Sequence, residues 1–418
     1  MEKYIINGGN KLYGSVEVQT AKNSVLPILA ATVLTDDKVK IFNVPNITDA
    51  KNMVKILSGL GCRVAFEGND LVVDGSFAEK DEIPRALAHE LRSSVFLLGS
   101  IISRFRTAKI AYPGGCDIGL RPVDLHLTGL KRLGVNIKEE NGYIICECDK
   151  LHGDEIMLDC PSVGATENIM LAAAKAEGTT LIKNAAREPE IEDLQRFLNC
   201  MGAKVRGAGT GTIIIEGVKA LHGCDFQPIP DRIEAGTFLI AAAMCGGEIE
   251  LRNACAENIS SLLHKLRENG CKIRLNNDKI ILENHRRLTS VKSVETQPYP
   301  GFPTDLQAQI TALCCICRGQ SIITENLFET RFKHVPELRK MGADITVINR
   351  NAFVRGVEKF TGATVVAHDL RGGAALVTAG LAAEGRSEVL DISHIDRGYG
   401  SFEYKLRSIG GDIVRVSV

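Results

Sequence analysis

A single cysteine, Cys116, stands in the glycine-rich run PGGCDIGLRP, with Gly114, Gly115 and Gly119 around it and Arg121 just before a helical pattern. Glycines let a loop move and close over a ligand. A thiol beside a cation can exchange its proton near neutral pH. Arg121 falls where a helix start already favours an anion. On composition alone, the run reads equally well as a surface turn with an incidental thiol. Other polar groups recur ahead of each long apolar segment: Lys22 and Asn23; Arg92; Ser162 through Thr166; Asp231, Arg232 and Glu234; Thr304 and Asp305; Asp369 and Arg371. Arg331 and Arg397, like Arg121, precede amphipathic segments. Ser, Thr, Asp and Asn are ordinary helix caps. Lys and Arg at the same end lower helix stability, so their repetition there points to an anionic ligand, and several converging helix starts point to a polyanion.

The elements that must position these groups repeat. A helical pattern closes on a glycine followed by a short strand at Gly61, Gly134, Gly202, Gly270, Gly342 and Gly410, spaced 73, 68, 68, 72 and 68 residues apart. A near-constant period means a repeated structural unit. Each unit carries one segment that is apolar nearly all round, such as NIMLAAAKA or FLIAAAM, and one amphipathic segment, such as 51–60. A helix apolar on every face is buried. Six such units read as two α/β domains of three, with the apolar helices inside and sheets and amphipathic helices around them. The 418 residues exceed one ordinary core. The net charge of −1 supplies no general field for nucleic acid, and no apolar run is long enough to span a bilayer. Thirteen scattered cysteines fit a reducing compartment better than a disulfide framework.

In AKN at 21–23, PGGCDIGLRPVDLH at 113–126, PSVGAT at 161–166, NAAREPEIED at 184–193, PDRIEAGTFL at 230–239, FPTDLQAQ at 302–309, ENLFETRFKHVPEL at 325–338, DLR at 369–371 and HIDRGY at 394–399, the chain resembles the UDP-N-acetylglucosamine 1-carboxyvinyltransferase family end to end. The resemblance implies two inside-out α/β barrel-like domains, each a pseudo-threefold repeat of a βαβαββ-type unit with buried parallel helices. It puts 21–229 in an N-terminal domain and 1–20 with 230–418 in a C-terminal one, with the active site in the interdomain cleft. It implies transfer of the enolpyruvyl group of phosphoenolpyruvate (PEP) to the 3-hydroxyl of UDP-N-acetylglucosamine, opening peptidoglycan synthesis, without metal or organic cofactor, in a cytoplasmic protein expected to be a monomer.

Carried over by residue, the resemblance implies Lys22, Asn23, Arg121, Arg371 and Arg397 as PEP contacts. Arg92, Arg121, Pro122, Val123, Asp124, Leu125, Ser162, Val163, Gly164, Asp305 and Leu327 would be nucleotide-sugar contacts. Lys22, Cys116, Asp305 and Arg397 would be catalytic, with Asp305 the general base and Cys116 a proton donor, possible PEP-adduct site and fosfomycin target. The chain departs from many relatives in having Gln19-Thr20 before AKN and Cys160 where some carry Lys; Cys160 is expected to be small, half-buried filling. Among other signals, Cys314 and Cys317 form a lone CxxC in an apolar run and read as core. Glu188 and Glu190 read as a helix start, and His126, His334 and His394 lack metal-ligand spacing. Residues 209–212 and 277–280 read as hairpin turns. Two other readings remain, a shikimate-pathway enolpyruvyl transferase and a non-catalytic UDP-sugar-binding paralogue.

Overall fold

The computed structural model describes residues 2–112 and 123–417, without the side chains of residues 89, 90, 92 and 93. The described chain divides into two compact units, one of 20–112 with 123–229 and one of 2–19 with 230–417.

In the first unit the helices are α1 (Lys22–Ala31), α2 (Thr48–Gly59), α3 (Arg85–Glu90), α4 (Leu97–Phe105), α5 (Asp124–Arg132), α6 (Val163–Ala173) and α7 (Pro189–Cys200). The all-apolar sequences become α1, α4 and α6; every residue of α6 from Ala165 to Ala173 is buried. α7 instead buries one stripe, including Ile191, Leu194, Phe197 and Leu198. α4 lies hard against α6: a Cβ on Gly99 would come within 2.2 Å of the Asn168 carbonyl oxygen.

Three four-stranded sheets surround these helices, and each repeats one pattern. Glu155–Met157 runs parallel to Thr179–Lys183, which pairs antiparallel with Thr212–Glu216, itself paired with Lys204–Arg206. Asp225–Phe226, at the end of the third repeat, pairs parallel with Lys38–Ile41 of the first and so closes the ring of three.

The second unit has α8 (Arg232–Cys245), α9 (Ser260–Asn269), α10 (Gln307–Ile316), α11 (His334–Lys340), α12 (Leu370–Ala382), α13 (Ser393–Asp396) and α14 (Phe402–Ser408). Buried α8, α10 and α12 pack pairwise on one another. The chain's first residues complete this unit. Glu2–Asn7 is an internal strand between Arg386–Leu390 and Asp412–Ser417, and Leu12–Glu17 lies parallel to Gly247–Arg252.

The six period-marking glycines all have φ between +92° and +105°, a conformation other L-residues resist. Each therefore ends a helix and turns the chain into its strand. Cys314 and Cys317 are buried as a core face, and the Cys317 thiol donates to the Leu313 carbonyl at 3.2 Å. Residues 209–212 and 277–280 fall at the two hairpins expected. Cys160 departs from expectation: it is exposed, because it stands in the link before Pro161 and the helix start rather than against the core.

Candidate active site

In the first unit Lys22 is the first residue of α1, and its Nζ lies 2.7 Å from Asp49 Oδ2. Asp49 is 1% exposed at the start of α2. A buried carboxylate requires a partner, so Asp49 aims the Lys22 ammonium. Asn23 is half-buried beside it. The Ser24 hydroxyl donates to the Asp193 carboxylate, which also accepts from Arg196 and from the Ile229 amide at 2.9 Å. Those bonds pin the start of α1 to α7 and to the end of this unit. Burial pushes the Asp193 carboxyl up, and the bonds oppose it.

Ser162 caps α6, its Oγ accepting from the Ala165 amide at 3.3 Å. The Val163 and Gly164 amides fall in the first turn, outside the helix's own ladder. Such a tip attracts phosphate oxygens. Gly164 has no room for a side chain: a Cβ would meet Phe96 at 2.9 Å and His126 at 3.0 Å. His126 is stacked on Phe96. Asn168 accepts from the Gly99 amide at 2.6 Å through Oδ1. Its Nδ2 therefore faces the Val95 carbonyl at 3.2 Å and His126 Nδ1 at 3.1 Å. An amide donor at Nδ1 leaves the proton of the neutral ring on Nε2, the nitrogen nearest Gly164. Val123 is the buried N-cap of α5, Asp124 its exposed first residue and Leu125 half-buried.

In the second unit Asp305 lies in the 3₁₀ turn that leads into α10. Its Oδ1 accepts from Arg331 Nη2 at 2.8 Å and its Oδ2 from Arg371 Nη2 at 2.9 Å. Both arginines are nearly buried, their side chains 3% and 4% exposed. Each also has a buried Nη1 that makes no hydrogen bond among the described residues. Buried N–H donors left open are costly, so the pair is poised for an anion. Burial, the largest single effect, would lower Arg371, but Asp305, Tyr399 and Asp231 together outweigh it and hold the guanidinium protonated. Asp369 caps α12, accepting from the Arg371 and Gly372 amides, each at 2.9 Å. It thereby offsets a cation placed at the wrong end of the dipole. Arg397 follows α13 and is half-buried.

Leu327 is fixed by a residue the sequence analysis left without a role. Glu325 is fully buried and accepts from Thr296 Oγ1 (2.9 Å), Thr304 Oγ1 (2.9 Å), the Leu327 amide (2.9 Å) and the Phe328 amide (3.1 Å). The Leu327 amide is thus occupied, and only its carbonyl and half-exposed side chain remain for a ligand. Glu325, Asp49 and Asp193 hold these groups in place without having been singled out in the sequence, whereas Arg331 had been counted among the basic residues that point to an anion. Glu325 and Arg331 lie in the ENLFETRFKHVPEL run, which was a usable signal. Asp49 is an acid in the first turn of α2, and no spacing ties it to Lys22.

Cys116, Arg121 and Pro122 lie outside the described residues, as does the Arg92 side chain, although Arg92 opens the turn leading into α4. Of the residues named in advance, the second unit brings Asp305 and Arg371 into direct contact. The first gathers Ser162, Val163 and Gly164 at one helix tip, with Lys22 and Asn23 at another.

Residues 6–406 match the family model described as EPSP synthase (3-phosphoshikimate 1-carboxyvinyltransferase). The fold agrees. The chain superposes over its whole length, with a TM-score of 0.90 and 25% identity, on 99% of the enolpyruvyl transferase NikO from Streptomyces tendae. It also superposes, with a TM-score of 0.75 and 18% identity, on all of an EPSP synthase from Acinetobacter baumannii. These define the class as two-domain enolpyruvyl transferases. Full-length similarity narrows it: 56% identity over 416 residues to UDP-N-acetylglucosamine 1-carboxyvinyltransferase 2 of Caldanaerobacter subterraneus subsp. tengcongensis, and 46% over 418 residues to the enzyme of that name from Clostridium botulinum, each covering 100% of both chains. The chain belongs to the UDP-N-acetylglucosamine 1-carboxyvinyltransferase family.

Proposed function

We propose that this protein transfers the enolpyruvyl group of PEP to the 3-hydroxyl of UDP-N-acetylglucosamine and releases phosphate. The observation that carries the reading is Asp305 held between two buried arginines that each keep an open donor. Bidentate arginine donors suit a carboxylate. With the PEP carboxylate on those open donors, Asp305 stands beside the donor substrate as a base for the incoming hydroxyl. PEP becomes electrophilic once its methylene carbon is protonated, a step assigned to Cys116. The sugar oxygen then adds to the resulting oxocarbenium-like centre, and the tetrahedral adduct loses phosphate. Lys22, Arg121 and Arg397 stabilise that leaving anion in a water-poor site.

The acceptor's diphosphate is assigned to the α6 tip at Ser162, Val163 and Gly164, with the His126 Nε2 proton nearby. Arg92, Val123, Asp124, Leu125 and Leu327 complete the nucleotide-sugar contacts. The unit of 20–229 thus carries most acceptor groups, and the unit of 2–19 with 230–417 carries the base and the arginine pair. A cytoplasmic monomer is the proposed working form; among the described residues no helix is long and apolar enough to cross a membrane.

Phosphate release from PEP, measured with each acceptor in turn, tests the reading. Release with UDP-N-acetylglucosamine and none with shikimate 3-phosphate is the expected result. Release with shikimate 3-phosphate alone would assign the chain to the other branch of its fold, and release with neither would leave a binding protein.

A further inference from the structure

Gln19 is the last residue of the second unit before the chain enters the first, and each of its four polar atoms is bonded within its own unit. Its main-chain amide donates to Glu234 Oε2 at 2.7 Å, and its carbonyl accepts from the Asp231 amide at 2.8 Å. Asp231 caps α8, and Glu234 lies fully buried in the first turn of that helix. Lys405 of α14 holds the other Glu234 oxygen at 2.8 Å. The backbone of Gln19 is therefore fixed to the start of α8. Its side chain reaches a different segment. Nε2 donates to the Gly398 carbonyl at 2.8 Å, and Oε1 accepts from the Gly400 amide at 3.1 Å. A carbonyl only accepts and a main-chain N–H only donates, so the carboxamide fits in one orientation alone.

Those two groups lie on either side of Tyr399, directly after Arg397. The peptide that leaves Arg397 is tied to α13, its Gly398 amide donating to the Ile395 carbonyl at 3.1 Å. The next two peptides are the ones Gln19 holds. Gly398 and Gly400 are buried and have no side chains to restrain their torsions. Building on the function proposed above, which assigns Arg397 to the PEP phosphate, we infer that Gln19 is a positioning residue for the reaction: its carboxamide, seated on the start of α8, fixes the turn of residues 398–400 and with it the direction from which Arg397 meets the donor substrate. Gln19 touches no substrate in this account and acts through Arg397. Without the carboxamide the Gly398 carbonyl and the Gly400 amide lose their partner, and the glycine peptides gain freedom to turn. The segment itself stays in place, because Tyr399 is buried and its hydroxyl lies 2.8 Å from Thr237 Oγ1. The effect falls on orientation rather than on folding, and a small misplacement of a group that binds the reacting substrate is costly to rate.

The test is a double-mutant cycle on the full-length enzyme, with Gln19→Leu, Arg397→Lys and the pair. Gln19→Leu keeps both main-chain bonds and similar bulk. The readouts are kcat and KM for PEP and for the nucleotide sugar separately, and product inhibition by inorganic phosphate. Two lost hydrogen bonds support an expected fall of about ten-fold in kcat/KM for PEP in Gln19→Leu, with weaker phosphate inhibition and an unchanged KM for the nucleotide sugar. In the Arg397→Lys background the second substitution should add little, since the residue it acts through is already altered. Gln19→Glu keeps the acceptor for Gly400 but sets a carboxylate oxygen against the Gly398 carbonyl, and it should lose at least as much. Wild-type PEP kinetics in either Gln19 variant, multiplicative losses in the double mutant, or equal losses for both substrates would reduce Gln19 to a structural tie and overturn the inference. An inactive wild type would instead strike the proposed function and is distinguishable at once.

Discussion

A buried side chain can be read by the company it keeps. Asp305 is bracketed by two arginines, Lys22 is directed by Asp49, and Glu325 collects four donors. His334 belongs to the same polar layer. It is 2% exposed at the start of α11 and close to Asp369 and Arg331. Burial drives its pKa down to about 4, helped by Arg331 and opposed by Asp369. The folded protein thus prefers the neutral ring, whereas the unfolded chain takes a proton near the ordinary histidine value. The unfolded state binds more protons between those two values, so the stability tied to His334 is whole above the ordinary value and drains away as pH falls toward 4, by up to about 3 kcal/mol. Thermal melts between pH 7.5 and 4.5 should fall more steeply for the wild type than for His334→Gln. Parallel curves would mean that His334 does not titrate as its surroundings require.

At the scale of elements, the sequence was legible wherever a property repeats. The all-apolar segments are the buried helices, and the six glycines are the left-handed exits. Polar residues ahead of the apolar segments do cap α6, α8 and α12, as Ser162, Asp231 and Asp369 show. Long-range pairs were not legible. Nothing in the spacing of Asp49 and Lys22, or of Asp305, Arg331 and Arg371, reveals contact: the first pair and Asp305–Arg331 each join two distant positions of one repeat, Asp305–Arg371 joins neighbouring repeats, and only folding brings them together. Cys160 was misjudged for a related reason: a small residue beside a helix start looks half-buried until the direction of the link is known.

Glu325 is the element-scale device with the sharpest consequence. It ties the turn holding Thr304 and Asp305 to the loop holding Leu327 and Phe328. Glu325→Gln removes the charge that strengthens all four bonds and turns an amide N–H toward the Thr304 hydroxyl, which must then accept instead of donate. A stability loss on the order of 2–4 kcal/mol is expected, together with weaker nucleotide-sugar binding. Denaturant unfolding and a binding titration check both, and an unchanged unfolding midpoint would show that the loop is held by something else.

At the scale of the molecule, chain order and structural order diverge. Residues 20–112 and 123–229 form a unit with a core of their own, whereas the other unit draws on residues 2–19 for an internal strand. Residues 20–229 expressed alone should melt cooperatively. Removing residues 1–19 from the full chain should abolish the transition of the second unit and leave that of the first. Loss of both transitions would mean that neither unit stands alone.

The same division frames the catalytic proposal, in which acceptor groups lie mostly on one unit and the base on the other. Asp305→Ala in the full-length protein tests this most directly, by nucleotide-sugar affinity and phosphate release measured on the same preparation. Affinity should change by less than about ten-fold, while release should fall by about 10²–10⁴-fold. Release at the wild-type rate, or affinity and release lost in equal measure, would contradict the account.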